Sequence, residues 1–137
     1  MARVLVVNDE RDLVDLCKLI LDGAGHVAKA SAGGRRIVEM ARRFRPDVIL
    51  LDWVMPELTG EDAARLLRAD PATAEIPIVL MTALSDGAER ARRLGVQGIL
   101  PKPFDERQLL ASVAAAARAA ESERGDGAAT GMTTGDE

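Results

Sequence analysis

The sequence predicts an α/β fold, a five-stranded parallel sheet with helices on both faces. Five short apolar runs recur along the 137 residues, and segments with helical spacing separate them. The runs show no alternation of polar and apolar residues, which is typical of parallel strands buried on both sides. Strand and helix therefore alternate five times within a chain long enough for one domain.

Four of the five apolar runs are rich in β-branched residues and short enough for strands. The runs are RVLVV from Arg3, HVAKA from His26, DVILL from Asp47, IPIVLM from Ile76 and VQGIL from Val96. The second run is the weaker one, so we expect it at an edge of the sheet.

Apolar residues at helical spacing fill the intervals between the runs. Each predicted helix has one apolar face, formed by Leu13, Leu16, Cys17 and Ile20; Ile37, Met40, Ala41 and Phe44; Ala63, Leu66 and Leu67; Ala88, Ala91 and Leu94; and Leu109, Leu110, Val113, Ala116 and Ala117. From Glu121 this periodicity is lost and the residues become small, polar and mostly acidic. We therefore predict one folded domain at residues 1–120 and a disordered, acidic, Gly- and Thr-containing tail at residues 121–137.

Composition narrows the classes of function. Apolar residues make up 47% of the chain and charged residues 29%, and no apolar stretch or leader suits a membrane helix or signal peptide. We expect a cytoplasmic protein without a membrane partner. Cys17 is the single cysteine and His26 the single histidine, which excludes an internal disulfide and any metal site with two histidines. The net charge of −4 predicts no nucleic-acid partner.

Polar side chains follow four of the five predicted strands. Asn8 and Asp9 follow the first strand, Asp52 the third, Thr82 the fourth and Lys102 the fifth. Ligands of open α/β sheets bind at the carboxyl ends of the strands. We therefore expect a pair of carboxylates, a hydroxyl and an ammonium group on one rim of the sheet.

This combination of groups predicts a phosphoryl-transfer site. Two carboxylates ~4 Å apart repel by ~4 kcal/mol at an effective dielectric constant of about 20. A divalent cation would relieve that repulsion, and oxygen ligands without His or Cys favour Mg²⁺. Asp52 could then attack a phosphoryl group and form an aspartyl phosphate. The metal and Lys102 would neutralise the phosphoryl oxygens, and Thr82 would hydrogen-bond one of them.

From Arg3 to about Ala120 the chain resembles the receiver domain of two-component response regulators, of the single-domain type. The matching stretches are VLVVNDE, GHVAKASAGG, PDVILLDWVMPELTG, IPIVLMTA and GVQGILPKPF. The resemblance implies a doubly wound, flavodoxin-like sheet with the strand order 2-1-3-4-5. It also implies that Asp52 accepts phosphate from a histidine kinase or a phosphotransfer protein.

The resemblance further implies a ligand set and an output surface. Asp9, Asp52 and the main-chain carbonyl of Val54 would ligate Mg²⁺, whereas Thr82 and Lys102 would contact the phosphoryl group. The domain would signal rather than act as an enzyme, with self-phosphorylation and autodephosphorylation as its own chemistry. An unknown downstream protein would bind the face formed by helix 4, strand 5 and helix 5. A charged stretch of helix 4, Glu89 to Arg93, is either solvated or part of that contact.

Two residues depart from the family pattern. Asn8 stands where the family usually has an acid that touches the metal through water. Its amide keeps an oxygen but removes one negative charge, so we expect weakened rather than abolished Mg²⁺ affinity. Ile99 stands where the family usually has Tyr or Phe, and it cannot make the inward swing of an aromatic ring. Val54 and Leu84 are apolar and cannot orient an attacking water, which predicts a phosphoryl group that is not lost especially fast.

Three other interpretations compete. Asn8 and Ile99 also fit a degenerate receiver that binds proteins independently of phosphate. An aspartate-nucleophile phosphatase would need a second Asp at the position of Val54 as general acid. The stretch GAGHVA from Gly23 fits a dinucleotide-binding fingerprint, but a predicted helix precedes it and a strand follows it, which inverts the required context. His26, beside a glycine, is predicted to be a surface or edge-strand residue.

Overall fold

The computed structural model describes residues 1–31, 36–55, 58–83 and 87–130. Strands and helices alternate along it, as the sequence predicts. The elements are β1 (Arg3–Val7), α1 (Arg11–Gly23), β2 (Val27–Ser31), α2 (Ile37–Phe44), β3 (Val48–Asp52), α3 (Gly60–Ala69), β4 (Ile78–Thr82), α4 (Gly87–Leu94), β5 (Gly98–Pro101) and α5 (Glu106–Thr130).

The strands form one parallel sheet in the order β2-β1-β3-β4-β5, which confirms the predicted fold class and strand order. β2 lies at an edge, as its weaker run predicts. The register pairs Val7 with Leu51 and Asp52 with Met81, and it pairs Thr82 with Pro101. The carboxyl ends of β1, β3, β4 and β5 therefore lie side by side along one edge of the sheet.

Two apolar layers cover the two faces of the sheet. Val48 and Leu50 of β3 belong to the layer that packs against α1 and α5, whereas Ile49 and Leu51 belong to the layer beneath α2, α3 and α4. Successive residues of a strand point to opposite faces, so a strand covered on both faces must be apolar throughout. Full burial of each such side chain stabilises the fold by about 1.5–3 kcal/mol. This requirement explains the unbroken apolar run of β3.

The buried face of α1 is rotated from the one that the spacing predicts. Val14, Cys17 and Leu21 are buried, whereas 49% of Leu16 is exposed to solvent. Leu19 is exposed as well. The spacing of Val14, Cys17 and Leu21 is also helical, and packing against β2 and α5 decides which of the two overlapping apolar stripes is covered.

The glycines after α1 end a helix. Gly25 has a φ of 90°, its N–H donates to the carbonyl of Asp22 at 3.1 Å, and the N–H of His26 donates to that of Leu21 at 3.0 Å. A dinucleotide fingerprint would instead open a helix, so the GAGHVA stretch does not form one. His26 lies just before β2 rather than within it, and its Nδ1 accepts a hydrogen bond from the N–H of Ala2 at 2.9 Å.

The last helix differs from the sequence prediction at its end. Residues 121–130, which we expect to be disordered, continue α5 as helix to Thr130. Loss of apolar spacing removes a packing face, but Ala, Glu and Arg retain a high helix propensity. Residues 131–137 lie outside the described residues, and the domain boundary at residue 120 stays a prediction. No helix in the described part of the chain combines the length and apolar character needed to cross a membrane.

Gly60 at the start of α3 allows a close approach of the backbone to the end of β3. A Cβ atom at this position would lie 2.6 Å from the carbonyl oxygen of Asp52 and 2.8 Å from the Cα of Trp53. The N–H of Gly60 also donates to the carbonyl of Trp53 at 2.8 Å. Backbone atoms cannot move aside as a flexible side chain can, so the position requires glycine.

We therefore expect Gly60→Ala to lower the free energy of unfolding by about 1–3 kcal/mol, since the new methyl group overlaps the backbone of β3. Gly23→Ala is the matched control, because a Cβ there meets nothing within 4 Å. The control should leave stability unchanged or raise it by up to about 1 kcal/mol. Urea unfolding followed by circular dichroism measures both, and equal stability of the two variants would contradict the prediction.

Candidate functional site

Asp52 is the centre of the carboxyl edge. It ends β3 after four buried apolar residues, and 3% of the residue is exposed. Its Oδ1 lies 2.7 Å from Nζ of Lys102, which forms an ion pair between the ends of β3 and β5. The carboxylate that the sequence places at the end of a buried run thus meets a cation from a neighbouring loop.

The backbone holds Lys102 in this position. Its N–H donates to the carbonyl of Thr82 at 2.9 Å, which ties the residue after β5 to the end of β4. Its peptide bond to Pro103 is cis, and Phe104 packs against the layer beneath α1 and α5. Thr82 itself is buried at the edge, 3% exposed, as a polar residue that ends an apolar strand.

Three polar residues follow β1. Asn8 is fully buried; its Oδ1 accepts a hydrogen bond from the N–H of Glu10 at 2.8 Å. Its Nδ2 has no hydrogen-bond partner among the described residues. Asp9 is exposed, and Oε1 of Glu10 lies 3.9 Å from Nζ of Lys102. The edge therefore combines the carboxylates of Asp9, Glu10 and Asp52 with one ammonium group.

Burial is the largest influence on the pKa of Asp52. Desolvation raises the pKa of its carboxyl group, and the negative charge of Asp9 acts in the same direction. The hydrogen bond and the charge of Lys102 lower that pKa, but the balance remains above the usual value. The ionised form of Asp52 therefore costs the fold free energy, even with its cation in place.

The oxygen atoms at this edge suit a hard divalent cation. Asp9 and Asp52 offer carboxylate oxygens, which a hard divalent cation prefers, and Val54, two residues after Asp52, is 68% exposed. No cluster of three His, Cys, Asp or Glu side chains that could hold a metal occurs within the described residues. Oxygen donors of this type suit Mg²⁺. Because Asn8, before Asp9, is an amide, the carboxylates of Asp9 and Asp52 carry less negative charge together than a site with an acid at position 8 would.

Other side chains around the site follow from the tertiary structure. The guanidinium of Arg90 on α4 lies 5.2 Å from the centroid of the Trp53 ring, beside Asp52. Burial raises the pKa of the Cys17 thiol to about 11, and the charge of Lys102 opposes this effect only in part. Ile99 of β5 is half-buried, pairs with Leu80 in the sheet, and packs in the layer beneath α4.

Sequence reasoning placed Asn8, Asp9, Asp52, Thr82 and Lys102 at one edge, and the structure brings all of them there. It did not assign Glu10 or Arg90 to the surroundings of the site. Glu10 adjoins Asp9 in sequence, so adjacency was an available signal. For Arg90 the sequence has no such signal, because its contact depends on how α4 lies against the β3 loop. Leu84 lies outside the described residues.

The raised pKa of Asp52 gives its contribution to stability a definite pH dependence. Between the unfolded and folded pKa values the folded chain binds more protons than the unfolded chain. The contribution is therefore complete below the unfolded pKa and is lost as the pH rises through the folded pKa. At neutral pH the ionised carboxylate should make the protein less stable than an uncharged isostere would.

We expect Asp52→Asn to raise the free energy of unfolding at pH 7, and we expect this gain to shrink as the pH falls to about 4. Urea unfolding of both proteins at the two pH values measures the difference. Asp15→Asn, an exposed position on α1, is the control and should show little change at either pH. A loss of stability in Asp52→Asn at pH 7 would mean that the Lys102 pair outweighs desolvation.

Comparisons with known proteins agree with this architecture. The family model described as the response regulator receiver domain matches residues 4–114. Protein PilH of Pseudomonas aeruginosa is 37% identical over 116 residues, which cover 82% of this chain and 95% of PilH. The DNA-binding response regulator MtrA of Mycobacterium tuberculosis is 35% identical over 118 residues, which cover 85% of this chain and 50% of MtrA. The chain thus spans about half the length of several curated relatives.

Solved structures show the same fold. The chemotaxis protein CheY4 of Vibrio cholerae superposes with a TM-score of 0.79 at 29% identity, covering 85% of this chain and 98% of CheY4. The receiver domain of the sensor histidine kinase PA1611 from Pseudomonas aeruginosa superposes with a TM-score of 0.77 at 28% identity, covering 85% and 98%. That structure is described with a magnesium ion coordinated in its active-site cleft. The match over most of this chain, together with the sheet order, shows that it belongs to the response regulator receiver domain family.

Proposed function

We propose that the chain accepts a phosphoryl group on Asp52 from a histidine kinase or a histidine phosphotransfer protein, with Mg²⁺, and signals by binding another protein. The observation that carries the proposal is the 2.7 Å pair between Asp52 Oδ1 and Lys102 Nζ. It joins a buried carboxylate and an ammonium group at the carboxyl edge, where this family of folds binds its ligands. Receiver domains are signalling domains rather than classical enzymes, and the proposed function of this chain is of that kind.

Asp52, Lys102 and Thr82 have different roles in the proposed phosphoryl transfer. An oxygen of Asp52 attacks the phosphorus of a phosphohistidine; the new O–P bond forms as the N–P bond breaks, and the imidazole nitrogen keeps the electron pair. Lys102 then exchanges its contact with the carboxylate for one with a phosphoryl oxygen. The Thr82 hydroxyl donates a hydrogen bond to another phosphoryl oxygen. Thr82 ends β4, the strand next to β3, and Lys102 follows β5 and already contacts Asp52 at 2.7 Å, so both groups start near the acceptor.

The metal would be held by Asp9, Asp52 and the main-chain carbonyl of Val54, and by Asn8 through water. Bound there, Mg²⁺ would supply positive charge to the phosphoryl oxygens. Asn8 Oδ1 already accepts from the N–H of Glu10, which leaves this oxygen one further lone pair for a water molecule. The amide contributes no charge, so the proposed Mg²⁺ affinity is lower than a third acid would give.

Other residues bear on the binding of the downstream protein and on the lifetime of the phosphoryl group. The face of α4, β5 and α5 would bind the downstream protein, and Ile99 lies within it without the ring that the family uses there. Val54 has no polar side chain to orient a hydrolytic water, which favours a persistent phosphoryl group. We place the domain in the cytoplasm, where kinase and phosphotransfer partners act, without a nucleic-acid or membrane partner of its own.

A second candidate is a receiver that binds its partner independently of phosphate. Two observations favour it: the buried amide nitrogen of Asn8 has no partner among the described residues, and Ile99 stands in place of an aromatic ring. Against it, Asp9, Asp52, Thr82 and Lys102 are all present at the edge. The two candidates differ in whether the site responds to Mg²⁺ and to a phosphoryl donor.

We expect incubation with acetyl phosphate and Mg²⁺ to add one phosphoryl group to the chain, detected by intact-mass spectrometry. Asp52→Ala should abolish the adduct, and Lys102→Ala should slow its formation at least about tenfold, because one charge-assisted contact to the phosphoryl group is lost. Asp15→Ala serves as the control. An adduct that persists in Asp52→Ala would contradict the assignment of the acceptor.

The fluorescence of Trp53 separates the two candidates, since this residue is the single tryptophan and lies beside Asp52. A change on adding Mg²⁺, followed by a further change with acetyl phosphate, supports the phosphorylated switch. No change at either step, in a protein that is folded by circular dichroism, supports the phosphate-independent module.

The amide at position 8 gives a further prediction. Asn8→Asp should tighten Mg²⁺ binding by roughly tenfold, because a third carboxylate adds attraction for a divalent cation. Without Mg²⁺ the same change should lower stability, since a third negative charge then adds repulsion in a buried place. A magnesium titration of Trp53 fluorescence and urea unfolding without metal measure the two effects. Weaker binding in Asn8→Asp would show that position 8 does not face the metal.

A further inference from the structure

A second cluster of charge lies away from Asp52, in a groove between α3 and α4 that we call the arginine groove. It is open to solvent on one side and has a volume of about 220 Å³. Its lining residues are Glu61, Arg65, Arg68, Arg90, Arg93 and Leu94. Among the described residues of the lining, positive charges exceed negative charges by three, although the whole chain has a net charge of −4. The groove is therefore a positively charged region on a protein whose net charge is negative.

The spacing of the arginines directs them into the groove. Arg65 and Arg68 are three residues apart on α3, and Arg90 and Arg93 are three residues apart on α4. Residues at that spacing lie on one side of a helix. The two helices thus present one pair of guanidinium groups each to the space between them.

Arg68 forms a rigid, charged part of the lining. Its Nη1 donates to the carbonyls of Ala74 and Ile76 at 3.0 and 2.9 Å, and its Nη2 donates to Gly95 at 3.1 Å and to Gln97 Oε1 at 3.0 Å. All four acceptors are neutral, so they fix the side chain without cancelling its charge. Burial lowers the pKa of Arg68, which reflects the cost of holding this charge away from water. An anion in the groove would reduce that cost.

The other arginines differ in whether an acidic side chain neutralises their charge. Arg65 pairs at 2.5 Å with Glu61, the one acid among the described residues of the lining. Arg93 is exposed and has no ion pair with any residue that the structure describes. The charge of Arg93 is thus available to a ligand, and its removal should not disturb a contact within the fold.

Arg90 connects the groove to the surroundings of Asp52. Its guanidinium lies over the ring of Trp53 at 5.2 Å from the centroid, a distance at which the cation is attracted to the ring face. A ligand that draws Arg90 towards the groove would change this contact. Trp53 fluorescence should therefore report occupation of the groove as well as events at Asp52.

The clustering of four guanidinium groups favours one of two kinds of anion. Carboxylates on an extended acidic peptide are spread along a chain that advances by about 3.3 Å per residue. Linked phosphate groups place several negative charges in a compact volume, and guanidinium groups match their oxygens with paired hydrogen bonds. We propose that the arginine groove binds a small anion with two or more linked phosphate groups, either free or as the phosphate chain of a nucleotide.

The test uses inorganic tripolyphosphate, ADP, adenosine and hexaglutamate, titrated into the full chain at low salt without divalent cations. Calorimetry and Trp53 fluorescence measure affinity, and amide chemical shifts in NMR spectra locate the bound anion. We expect saturable binding of tripolyphosphate or ADP, with shifts in residues 61–68 and 90–94, and no binding of adenosine. If ADP binds more tightly, the phosphates belong to a nucleotide; if tripolyphosphate does, a free oligophosphate is the ligand.

Arg93→Glu is the decisive variant and Arg92→Glu is its matched control. Both residues are exposed on α4, but Arg92 does not line the groove. Arg93→Glu should weaken tripolyphosphate binding at least about tenfold, whereas Arg92→Glu should weaken it less than about threefold. Thermal unfolding of both variants checks that the fold is kept.

Four results would overturn the proposal. They are the absence of saturable binding, an equal loss in both arginine variants, chemical shifts that concentrate at residues 8–10, 52 and 102, or tighter binding of hexaglutamate than of tripolyphosphate. The last result would assign the groove to an acidic segment of a protein instead. None of these outcomes depends on whether Asp52 accepts a phosphoryl group.

Discussion

The ion pair between Asp52 and Lys102 is the interaction on which this edge of the structure depends. A carboxylate that ends a strand buried on both faces is costly, and a cation 2.7 Å away offsets part of that cost. The cation can reach Asp52 because a single strand, β4, lies between β3 and β5. The N–H of Lys102 also donates to the carbonyl of Thr82 at the end of β4, which fixes the position of the lysine. Strand order and local hydrogen bonding together create the pair.

The ionised carboxylate of Asp52 is electrostatically unfavourable in its buried position. The pKa of Asp52 stays raised although Lys102 opposes the effect of burial. The apolar layers on both faces of the sheet supply the stability that lets the fold tolerate an unfavourable charge. A ligand that brings positive charge, or a modification that alters the carboxylate, would change the electrostatic cost of the ionised Asp52. The site is thus sensitive to what binds there because it is not fully compensated.

Asn8 and Ile99 modify this arrangement in different places. Asn8 reduces the negative charge beside Asp52, and its amide has a buried nitrogen without a partner among the described residues. Ile99 lies two strands away and fills its half-buried position with a stiff, branched side chain. In the proposed function, Asn8 would affect how strongly the site holds a cation, and Ile99 would affect how phosphorylation changes the face of α4 and α5. The contact of Arg90 with Trp53 is a separate connection between the same two regions.

The sequence by itself determined the fold class, the order of elements and the residues at the strand ends, because strand runs, helical spacing and strand termini are local properties of the chain. Asp52 and Lys102 were predictable as neighbours since parallel strands end at one edge. Only the tertiary structure decided their distance, the buried stripe of α1, the position of His26, and the arginine groove between α3 and α4. These features depend on how helices are rotated and set against the sheet, and packing between residues distant in sequence determines that placement.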